Sequence, residues 1–402
     1  MENVEIVKIE EICSFICSGG TPKSTNPDFY NGEIPWLNTN EVNFNKIYST
    51  SRYISENGLH NSSAKYVPLN TVIVAMYGVT AGKCAIAKIP LTTNQACCNL
   101  IIDPQKADYR YVYQYLKMQH RVLNSLATGG AQQNLNSLDI KRFKMPLPNI
   151  NTQSKIADIL MAYDDLIEAN NHRIELLEQT AQELYKEWFV RFRFPGHEDA
   201  KFENGLPEGW ERNKIQKYYQ TCSGGTPSRS KPEYFENGIY PWVKTGEIKD
   251  CVIIDTEEYI TQDAVNSSSA KVLPAKSVAM AMYGVNIGLL AYFDSEMTCN
   301  QACCVFSDKR DFSSKHYLYY YLKSIREYLL LISFGAAQQN LSQDLIKKIK
   351  ITMPSDDVVQ AFEKQIDDIY DSIRMLLMKN KNLAEQRDML LSRLMSGKLE
   401  VN

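Results

Sequence analysis

The chain of 402 residues contains one long segment twice, and this duplication constrains its fold more than any other feature. Six motifs of the first half return in the same order in the second half. They are SGGTP (18–22 and 223–227), PW (35–36 and 241–242), SSAK (62–65 and 268–271), MYGV (76–79 and 282–285), NQACC (94–98 and 300–304) and AQQNL (131–135 and 337–341). The spacing changes by one residue after the first motif and then stays constant. The sequence therefore predicts two copies of one domain, in a protein that binds two similar ligands at a set separation.

The composition is that of a globular chain without a metal site. Hydrophobic residues make up 44% of it, which is enough for two packed cores. No apolar run is long enough for a membrane span, and the N-terminus lacks the basic residues of a secretory signal, so we expect a cytoplasmic protein. The ten cysteines include adjacent pairs at 97–98 and 303–304 but no zinc-ligand spacing, which favours buried thiols. A net charge of −3 is not typical of a tight DNA binder that acts alone.

The order of local patterns divides the chain into five segments. Short β-branched runs between Gly, Pro and Asn, followed by an aromatic helix and a basic stretch, predict a domain over 1–151 and again over 211–356. Long helices are predicted over 152–192 and 357–397, and a turn-rich linker over 193–210. The predicted fold class is α+β, with two tandem domains of mixed helix and strand joined by two long helices that form an antiparallel coiled coil.

Both long helices carry apolar residues in alternating steps of four and three, which is the coiled-coil pattern. Each seam contains one asparagine, Asn170 or Asn380. In the antiparallel register that places Ile156 opposite Leu394, the two amides meet. A parallel pairing leaves each amide against an aliphatic residue, at a cost of about 1–3 kcal/mol. We therefore predict that Asn170 and Asn380 fix an antiparallel register; the alternative is that each helix packs on a different partner.

The sequence lacks the motifs of the common enzyme classes. There is no phosphate-binding loop of the GxxxxGK[ST] type, no HExxH and no Asn-Pro-Pro-aromatic motif of amino-methyltransferases. None of the five histidines falls at a matched position in the two copies, which excludes a duplicated catalytic histidine. We expect a chain without catalytic residues.

Several residues shared by the copies are candidates for contacts with a nucleic acid. Turn amides and lysines can meet phosphates, and side-chain amides can read adenine in the major groove. Each motif also has a structural interpretation, as a tight turn or a local loop cap. The shared candidates are Thr21, Ser62, Lys65, Gln132, Gln133, Thr226, Ser268, Lys271, Gln338 and Gln339.

Residues that differ between the copies inside shared motifs are candidates for base recognition. If the copies read different sequences, shared residues maintain the fold and phosphate contacts, whereas differing residues read bases. Any single one of them is more often a solvated surface residue. These candidates are Lys23, Ser24, Asn38, Asn40 and Thr80 in the first copy and Ser228, Arg229, Lys244 and Asn286 in the second. The shared Tyr77 and Tyr283 are expected to pack in the core.

Two GGTP domains, each followed by a long helix, resemble the specificity (S) subunit of type I restriction-modification enzymes. The segment LYKEWFVRFRFPG at 184–196 is similar to the central region of that family, and GLPEGW at 205–210 to the start of its second recognition domain. Residues 386–399 resemble its C-terminal region. The resemblance covers nearly the whole chain. One departure is that the two copies are unusually alike, which implies half-sites that are related in sequence.

The resemblance implies a non-catalytic subunit whose two target-recognition domains each bind one half of a split double-stranded DNA site. The coiled coil would act as a ruler for the spacer between the half-sites. Two methyltransferase (M) subunits would dock there, bind S-adenosylmethionine and methylate adenine N6. Two restriction (R) subunits would use ATP and Mg²⁺, so that no cofactor and no membrane contacts this chain. The sequence leaves open the target bases, the spacer length and the presence of an R partner.

Three other functions compete with this interpretation. A stand-alone DNA-binding regulator would bind its site specifically without a methyltransferase. An enzyme of unknown type would need motifs that the chain lacks. A coiled-coil scaffold without a nucleic-acid role would show no salt-dependent affinity for DNA.

Overall fold

The computed structural model describes residues 4–127, 134–333 and 340–401 of the chain. It divides into two compact units, one formed by Met1–Ile167 with Asn382–Asn402 and the other by Glu168–Lys381. Each unit contains one copy of the repeat together with segments of both long helices. No helix among the described residues is both long and apolar enough to cross a lipid bilayer.

The first domain is built from short strands, in agreement with its β-branched runs. Its strands are β1 (Glu5–Lys8), β2 (Cys13–Ser18), β3 (Ile34–Leu37), β4 (Asn45–Ile47), β5 (Tyr53–Ile54), β6 (Tyr66–Val67), β7 (Val72–Ala75), β8 (Cys84–Ala87), β9 (Leu91–Thr93), β10 (Cys97–Ile102) and β11 (Lys144–Leu147). One sheet has the order β2-β10-β7-β8-β4, in which only the β4–β8 pair is parallel. A second sheet has the order β5-β3-β9-β6, and β1 pairs with β11.

The second domain repeats this arrangement. After the linker strands β12 (Phe202–Glu203) and β13 (Leu206–Pro207), its strands are β14 (Glu211–Lys214), β15 (Tyr219–Ser223), β16 (Tyr240–Val243), β17 (Cys251–Ile253), β18 (Tyr259–Ile260), β19 (Val278–Ala281), β20 (Leu290–Phe293), β21 (Thr298–Cys299), β22 (Cys303–Asp308) and β23 (Lys350–Met353). The main sheet has the order β15-β22-β19-β20-β17, which matches the first domain strand for strand. The predicted duplication is therefore a duplication of fold.

The helices connect and cover these sheets. They are α1 (Glu56–His60), α2 (Tyr109–Met118), α3 (His120–Ser125), α4 (Ser137–Arg142), α5 (Ile150–Tyr185), α6 (Ile215–Tyr218), α7 (Gln262–Asn266), α8 (Lys315–Ser324), α9 (Arg326–Ser333), α10 (Gln343–Lys348) and α11 (Asp356–Met395). One turn of π-helix, Lys186–Val190, extends α5. The sequence predicts the long helices over 152–192 and 357–397; the first, with its π-helical turn, spans 150–190 and the second 356–395.

The continuous apolar sequence of β7 reflects burial on both faces of the main sheet. Val72 and Val74 pack in one cluster with Tyr111 of α2. Ile73 and Ala75 point to the opposite face and join a second cluster around the other sheet of the domain. Successive side chains of a strand alternate between faces, so a strand between two layers needs apolar residues at every position.

The linker contains a tight hairpin between β12 and β13. Its loop is Asn204-Gly205, and both residues have positive φ, 49° and 80°. Asn-Gly is the pair that tolerates this backbone best, because two-residue hairpin loops match the twist of the strands only with such angles. Beyond the hairpin, Trp210 is buried against Phe189 and Phe194, so this turn-rich segment is packed on the end of α5.

All ten cysteines are unpaired, and both adjacent pairs, Cys97-Cys98 and Cys303-Cys304, are buried. Burial raises the pKa of the Cys98 thiol to about 12, which leaves it protonated at neutral pH. The described residues contain no group of three or more His, Cys, Asp or Glu side chains that could hold a metal ion. The cysteines of these pairs act as small apolar side chains of the core.

Candidate nucleic-acid interface

The GGTP turn of the first domain lies against two other shared motifs. The Gly20 amide donates to the Thr93 carbonyl (2.9 Å), and the Trp36 indole donates to the Gly20 carbonyl (2.9 Å). A Cβ atom on Gly19 would lie 2.0 Å from the Thr93 oxygen, and one on Gly20 2.3 Å from the Ala64 nitrogen. No side chain fits at either position, so glycine is required here by close packing rather than by backbone angles.

The second domain forms the same junction. The Gly225 amide donates to the Cys299 carbonyl (2.9 Å), and the Trp242 indole donates to the Gly225 carbonyl (3.0 Å). A Cβ atom on Gly224 would lie 1.9 Å from the Cys299 oxygen. The shared motifs SGGTP, PW, SSAK and NQACC thus meet in space in each domain, and we call this set of loops the recognition cluster.

The candidates Thr21 and Thr226 lie on the exposed side of these turns. Each hydroxyl donates to a glutamine side chain of the NQACC motif, Gln95 in the first domain and Gln301 in the second. Because a hydroxyl has a single hydrogen, neither threonine can donate to a phosphate while this bond is made. Their first role is to join two loops of the recognition cluster.

The SSAK motif places a capped turn beside an exposed lysine. The Ser62 hydroxyl accepts from the amide two residues later (3.2 Å), and the Ser268 hydroxyl does the same (3.1 Å). The following lysines, Lys65 and Lys271, are exposed in both domains. The serines therefore serve the turn, whereas the lysines remain accessible to a ligand.

Two of the base-recognition candidates serve the interior of the fold. Thr80 is only 8% exposed, and its hydroxyl donates to the Thr39 carbonyl (2.9 Å). In the second domain, the Asn286 amide donates to the carbonyls of Thr245 (2.9 Å) and Ile248 (3.1 Å). These side chains hold two neighbouring turns together. The prediction that Thr80 contacts DNA is wrong for the geometry observed here, since its side chain is buried.

The MYGV motif forms a loop that projects into solvent. Tyr77 is 41% exposed and Tyr283 is 38% exposed, so the expectation that they pack in the core is wrong. The valines two residues on, Val79 and Val285, are completely exposed. The reason is backbone geometry: the glycine between them has positive φ, 76° in the first domain, which turns the chain outward directly after the tyrosine.

The AQQNL motif adjoins this loop. Asn134 forms an antiparallel bridge with Tyr77, and Asn340 forms one with Tyr283. Leu135 donates its amide to the Met76 carbonyl (2.8 Å). The four candidate glutamines of the motif, Gln132, Gln133, Gln338 and Gln339, lie outside the described residues.

The remaining candidates are mostly exposed. In the first domain Lys23, Ser24 and Asn40 are all accessible to solvent. In the second domain Ser228 is exposed, and its hydroxyl lies 2.8 Å from that of Ser230. These residues are accessible to a ligand, and their role in base recognition stays a prediction.

At one position an amide in the first domain is replaced by a charged group in the second. Asn38 accepts a hydrogen bond from Asn94 (3.3 Å). Its counterpart Lys244 instead forms ion pairs with Glu257 (2.8 Å) and Glu258 (3.0 Å). The two recognition clusters therefore share a backbone but differ in electrostatics.

Arg229 joins the same charged group. Its guanidinium lies over the rings of Phe235 (4.3 Å) and Trp242 (5.0 Å) and donates to Glu258 (2.6 Å). Hydrogen bonds from Arg229 and Lys244, aided by their positive charges, lower the pKa of Glu258 despite its partial desolvation. The glutamate is thus an ionised acceptor in the cluster.

The first domain also has an arginine at this place, Arg52. The comparison of aligned residues does not identify it. The Arg52 guanidinium lies 4.9 Å from the ring centroid of Tyr30 and 5.4 Å from that of Trp36. Arg52 aligns with Glu258, not with Arg229, so a comparison position by position does not pair the two arginines. The sequence does contain a clue to this pair, because each copy has one arginine near its PW motif. The arginine follows the motif in the first copy and precedes it in the second.

The coiled-coil seam in the second unit contains the two asparagines. The Asn170 amide, which is buried, donates to the Asn380 oxygen (2.8 Å), and the Asn380 amide donates to Asn171 (2.8 Å). Farther along the same unit, the rings of Trp188 and Phe362 lie 5.7 Å apart. Both contacts belong to the antiparallel register in which Ile156 opposes Leu394.

In the first unit the same two helices meet at an ionic group. Asp164 pairs with Lys117 of α2 (3.0 Å) and with Arg387 of α11 (2.7 Å). Burial alone would raise the pKa of Asp164, but the two cations lower it below its ordinary value. Burial and the nearby Arg387 charge lower the pKa of Lys117, as expected where two cations share one carboxylate. This group ties the first recognition domain to both long helices of its unit.

The fold and the paired loop clusters define a duplicated recognition protein built on long antiparallel helices. Residues 1–179 and 207–385 match the sequence profile of the type I restriction modification DNA specificity domain. These two matches cover most of the chain, so the protein belongs to the type I restriction-modification specificity family. The match also covers both copies of the repeat.

Curated relatives carry the same description. The chain is 27% identical, over 99% of its length and 94% of the relative, to the MjaIX specificity subunit of Methanocaldococcus jannaschii. It is 30% identical, over 44% of its length and 45% of the relative, to the EcoR124I/EcoR124II specificity subunit of Escherichia coli. The crystal structure of a type I system S subunit from M. genitalium superposes with a TM-score of 0.60 at 17% identity, covering 98% of this chain and 97% of the other. That likeness shows the shared fold.

Proposed function

We propose that this chain is the non-catalytic subunit that selects the DNA site of a type I restriction-modification complex. Each recognition domain reads one half of a bipartite double-stranded site. The long helices set the spacer between the halves and provide the docking surface for two methyltransferase subunits. Where a restriction subunit exists, it joins the same complex.

The observation that carries this proposal is the pair of recognition clusters. In each domain the shared residues build the frame, as Gly20 and Trp36 do through their hydrogen bonds with each other and with neighbouring loops. Most of the differing residues, such as Lys23 and Arg229, are exposed on that frame. One frame with two sets of exposed polar side chains is what two different half-sites require.

The proposal assigns the chemistry to the partners. The M subunits bind S-adenosylmethionine and methylate adenine N6, and the R subunits use ATP and Mg²⁺. The near-neutral net charge of −3 supports this division, because a specificity subunit that shares its DNA with partners need not neutralise the phosphates alone.

Binding measurements with and without the methyltransferase test the proposal. We expect the chain alone to bind duplex DNA weakly at physiological salt, and the complex with its M subunit to bind one bipartite sequence tightly. Sequencing of methylated adenines in cells that express the M subunit, with or without this chain, identifies that sequence. Specific binding by the chain alone would instead favour a stand-alone regulator.

The role of the helices as a ruler has a test of its own. Seven residues inserted at opposed points of α5 and α11 lengthen the pair by ~10 Å, or roughly three base pairs of DNA. The spacer of the methylated site should lengthen by that amount while both half-sites keep their sequences. Insertion into one helix alone is the control, because it breaks the register and should destabilise the chain. An unchanged spacer in the doubly extended chain would contradict the ruler.

A further inference from the structure

Arg52 and Glu258 occupy the same backbone position in the two domains. The Trp36 amide donates to the Arg52 carbonyl (3.0 Å), and the Trp242 amide donates to the Glu258 carbonyl (2.9 Å). A threonine two residues earlier donates its hydroxyl to the same carbonyl in both domains, over 2.7 Å in each case. Each residue directly precedes the strand that pairs with the PW motif. The exchange of arginine for glutamate is therefore a substitution on an unchanged frame.

The arginine lost at this position in the second domain is supplied from another loop. Arg229, which follows the GGTP motif, lies over Phe235 and Trp242. In the first domain Arg52 lies over the equivalent rings of Tyr30 and Trp36. The ring pairs have the same edge-to-face geometry, with centroids 5.8 Å apart in the first domain and 5.9 Å apart in the second. Both domains thus present one guanidinium at the same site on the recognition cluster.

The surroundings of the two guanidinium groups differ. Within the residues that the structure describes, no carboxylate pairs with Arg52, and its side chain is exposed. In the second domain Arg229 and Lys244 share Glu258, with Glu257 close by. The Arg52 guanidinium therefore has hydrogen-bond donors that no carboxylate occupies. The second site combines the donors of Arg229 and Lys244 with the acceptor oxygens of Glu258.

A guanidinium that rests on an aromatic face loses little freedom when it binds. Its hydrogen-bond donors lie in the plane of the group and remain available at its edge. Two such donors match the O6 and N7 acceptors of guanine in the major groove, whereas a carboxylate beside them accepts from the amino group of cytosine. If this site served only the fold, there would be no reason for Arg52 of the first domain to be replaced by the ion-paired Glu258 in the second.

We propose that the arginine over the tryptophan is a specificity-determining residue in each domain, Arg52 for a guanine of the first half-site and Arg229, restrained by Glu258, for a different base pair of the second. The inference rests on the proposed function, since it assigns a base to a residue of the DNA-recognition subunit. It adds that the half-sites differ at this position because a carboxylate, Glu258, accompanies the guanidinium in the second domain only.

The test uses the complex of the full chain with its M subunit and selects bound sequences from a random duplex library. Arg52→Ala should reduce the preference for one G·C pair of the first half-site by roughly 5- to 150-fold and leave the second half-site unchanged. Arg229→Ala and Glu258→Gln should change one position of the second half-site only. Arg52→Lys keeps a cation over the rings but loses the fork of donors, so it should lose the preference while keeping the fold.

Arg173→Ala is the control, because it removes an exposed arginine of α5 that lies outside both recognition clusters. The inference is overturned if a bipartite site is selected and neither arginine variant alters it, or if the variants weaken all sequences alike, as loss of a phosphate contact would. If the wild-type complex selects no bipartite site at all, the proposed function fails instead. The two failures are therefore distinct.

Discussion

The side-chain amide of Asn170 donates a 2.8 Å hydrogen bond to the amide oxygen of Asn380, although the two residues belong to different long helices. Asn170 is buried in the seam with its amide on Asn380, whereas the Asn380 amide itself donates to Asn171. A matched pair of buried amides lowers stability relative to leucine but permits a single register. The contact thus specifies how the two helices align in this unit.

A double-mutant cycle measures this dependence. Asn170→Leu alone leaves Asn380 facing an aliphatic side chain and should lower the free energy of unfolding by about 1–3 kcal/mol. Replacing both asparagines should recover most of that loss, because the two leucines can then pack against each other. Urea unfolding of the wild type, the two single variants and the double variant gives the coupling free energy between residues 170 and 380. Asn382→Leu, at an exposed position of the same helix, is the control, and additive effects at 170 and 380 would contradict the pairing.

Glu363 should make the stability depend on pH above neutrality. Burial raises its pKa to about 8, and its oxygen accepts from the Tyr317 amide (2.9 Å). A folded-state pKa above the unfolded value means that the contribution to stability is present at low pH and is lost as pH rises toward 8. Between pH 6.5 and 8 the free energy of unfolding should fall by about 1–2 kcal/mol. His316, whose pKa is lowered to about 4 chiefly by burial, stays neutral in the folded state over this range.

Glu363→Gln keeps an acceptor for the Tyr317 amide and removes the titration. Its unfolding free energy should no longer fall between pH 6.5 and 8, as measured by urea unfolding at each pH. The exposed Glu385→Gln on the same helix should retain the wild-type pH dependence. A wild-type chain with no loss of stability over this range would refute the assignment.

Removal of Asp164 should destabilise the first unit. Asp164→Ala leaves the largely buried Lys117 without this counter-ion and leaves Arg387 to pair with Asp388 alone, which should cost roughly 3 kcal/mol, since the side chains keep some exposure. The lowered pKa of Asp164 means that its contribution is present above its ordinary pKa and is lost as pH falls below about 4. Asp165→Ala, which breaks the more exposed pair with Lys46, should cost less than about 1 kcal/mol. Thermal unfolding at pH 7 compares the two variants.

The lysines of the SSAK motif should contribute to affinity without contributing to sequence preference. If Lys65 or Lys271 contacts a phosphate, its replacement by alanine should reduce the slope of log affinity against log salt by about one. Titrations of the complex with its M subunit on the selected duplex, at several salt concentrations, measure that slope. Lys379→Ala on α11 is the control, and a change in the preferred sequence rather than in the slope would contradict a phosphate contact.

The duplication and the helical seam could be predicted because both are repeating patterns. Identical motifs in one order require one fold twice, and the heptads with Asn170 and Asn380 leave one register in which the amides meet. The sheet order and the junction of Gly20 with Trp36 could not be predicted, since they depend on contacts between loops that are distant in the chain.

A residue can contact a ligand only if its side chain is exposed to solvent. The residue type alone does not determine that exposure, so individual site residues were hard to predict. Thr80 is buried because a short turn directs its hydroxyl inward, and Tyr77 is exposed because a glycine follows it with positive φ. Arg52 was missed because Arg229, the arginine that lies over the equivalent tryptophan in the second domain, comes from a different loop. Only the three-dimensional arrangement shows that both arginines lie over the same tryptophan position.

The most direct test of the whole account is an exchange of domains. Residues 1–151 are replaced by a second copy of 211–356, and methylated adenines are mapped in cells that express the M subunit with the wild-type or the exchanged chain. We predict that the site becomes two copies of the second half-site, with the spacer and the second half unchanged. A change in both halves, or no change at all, would contradict the claim that each domain reads one half of the DNA site.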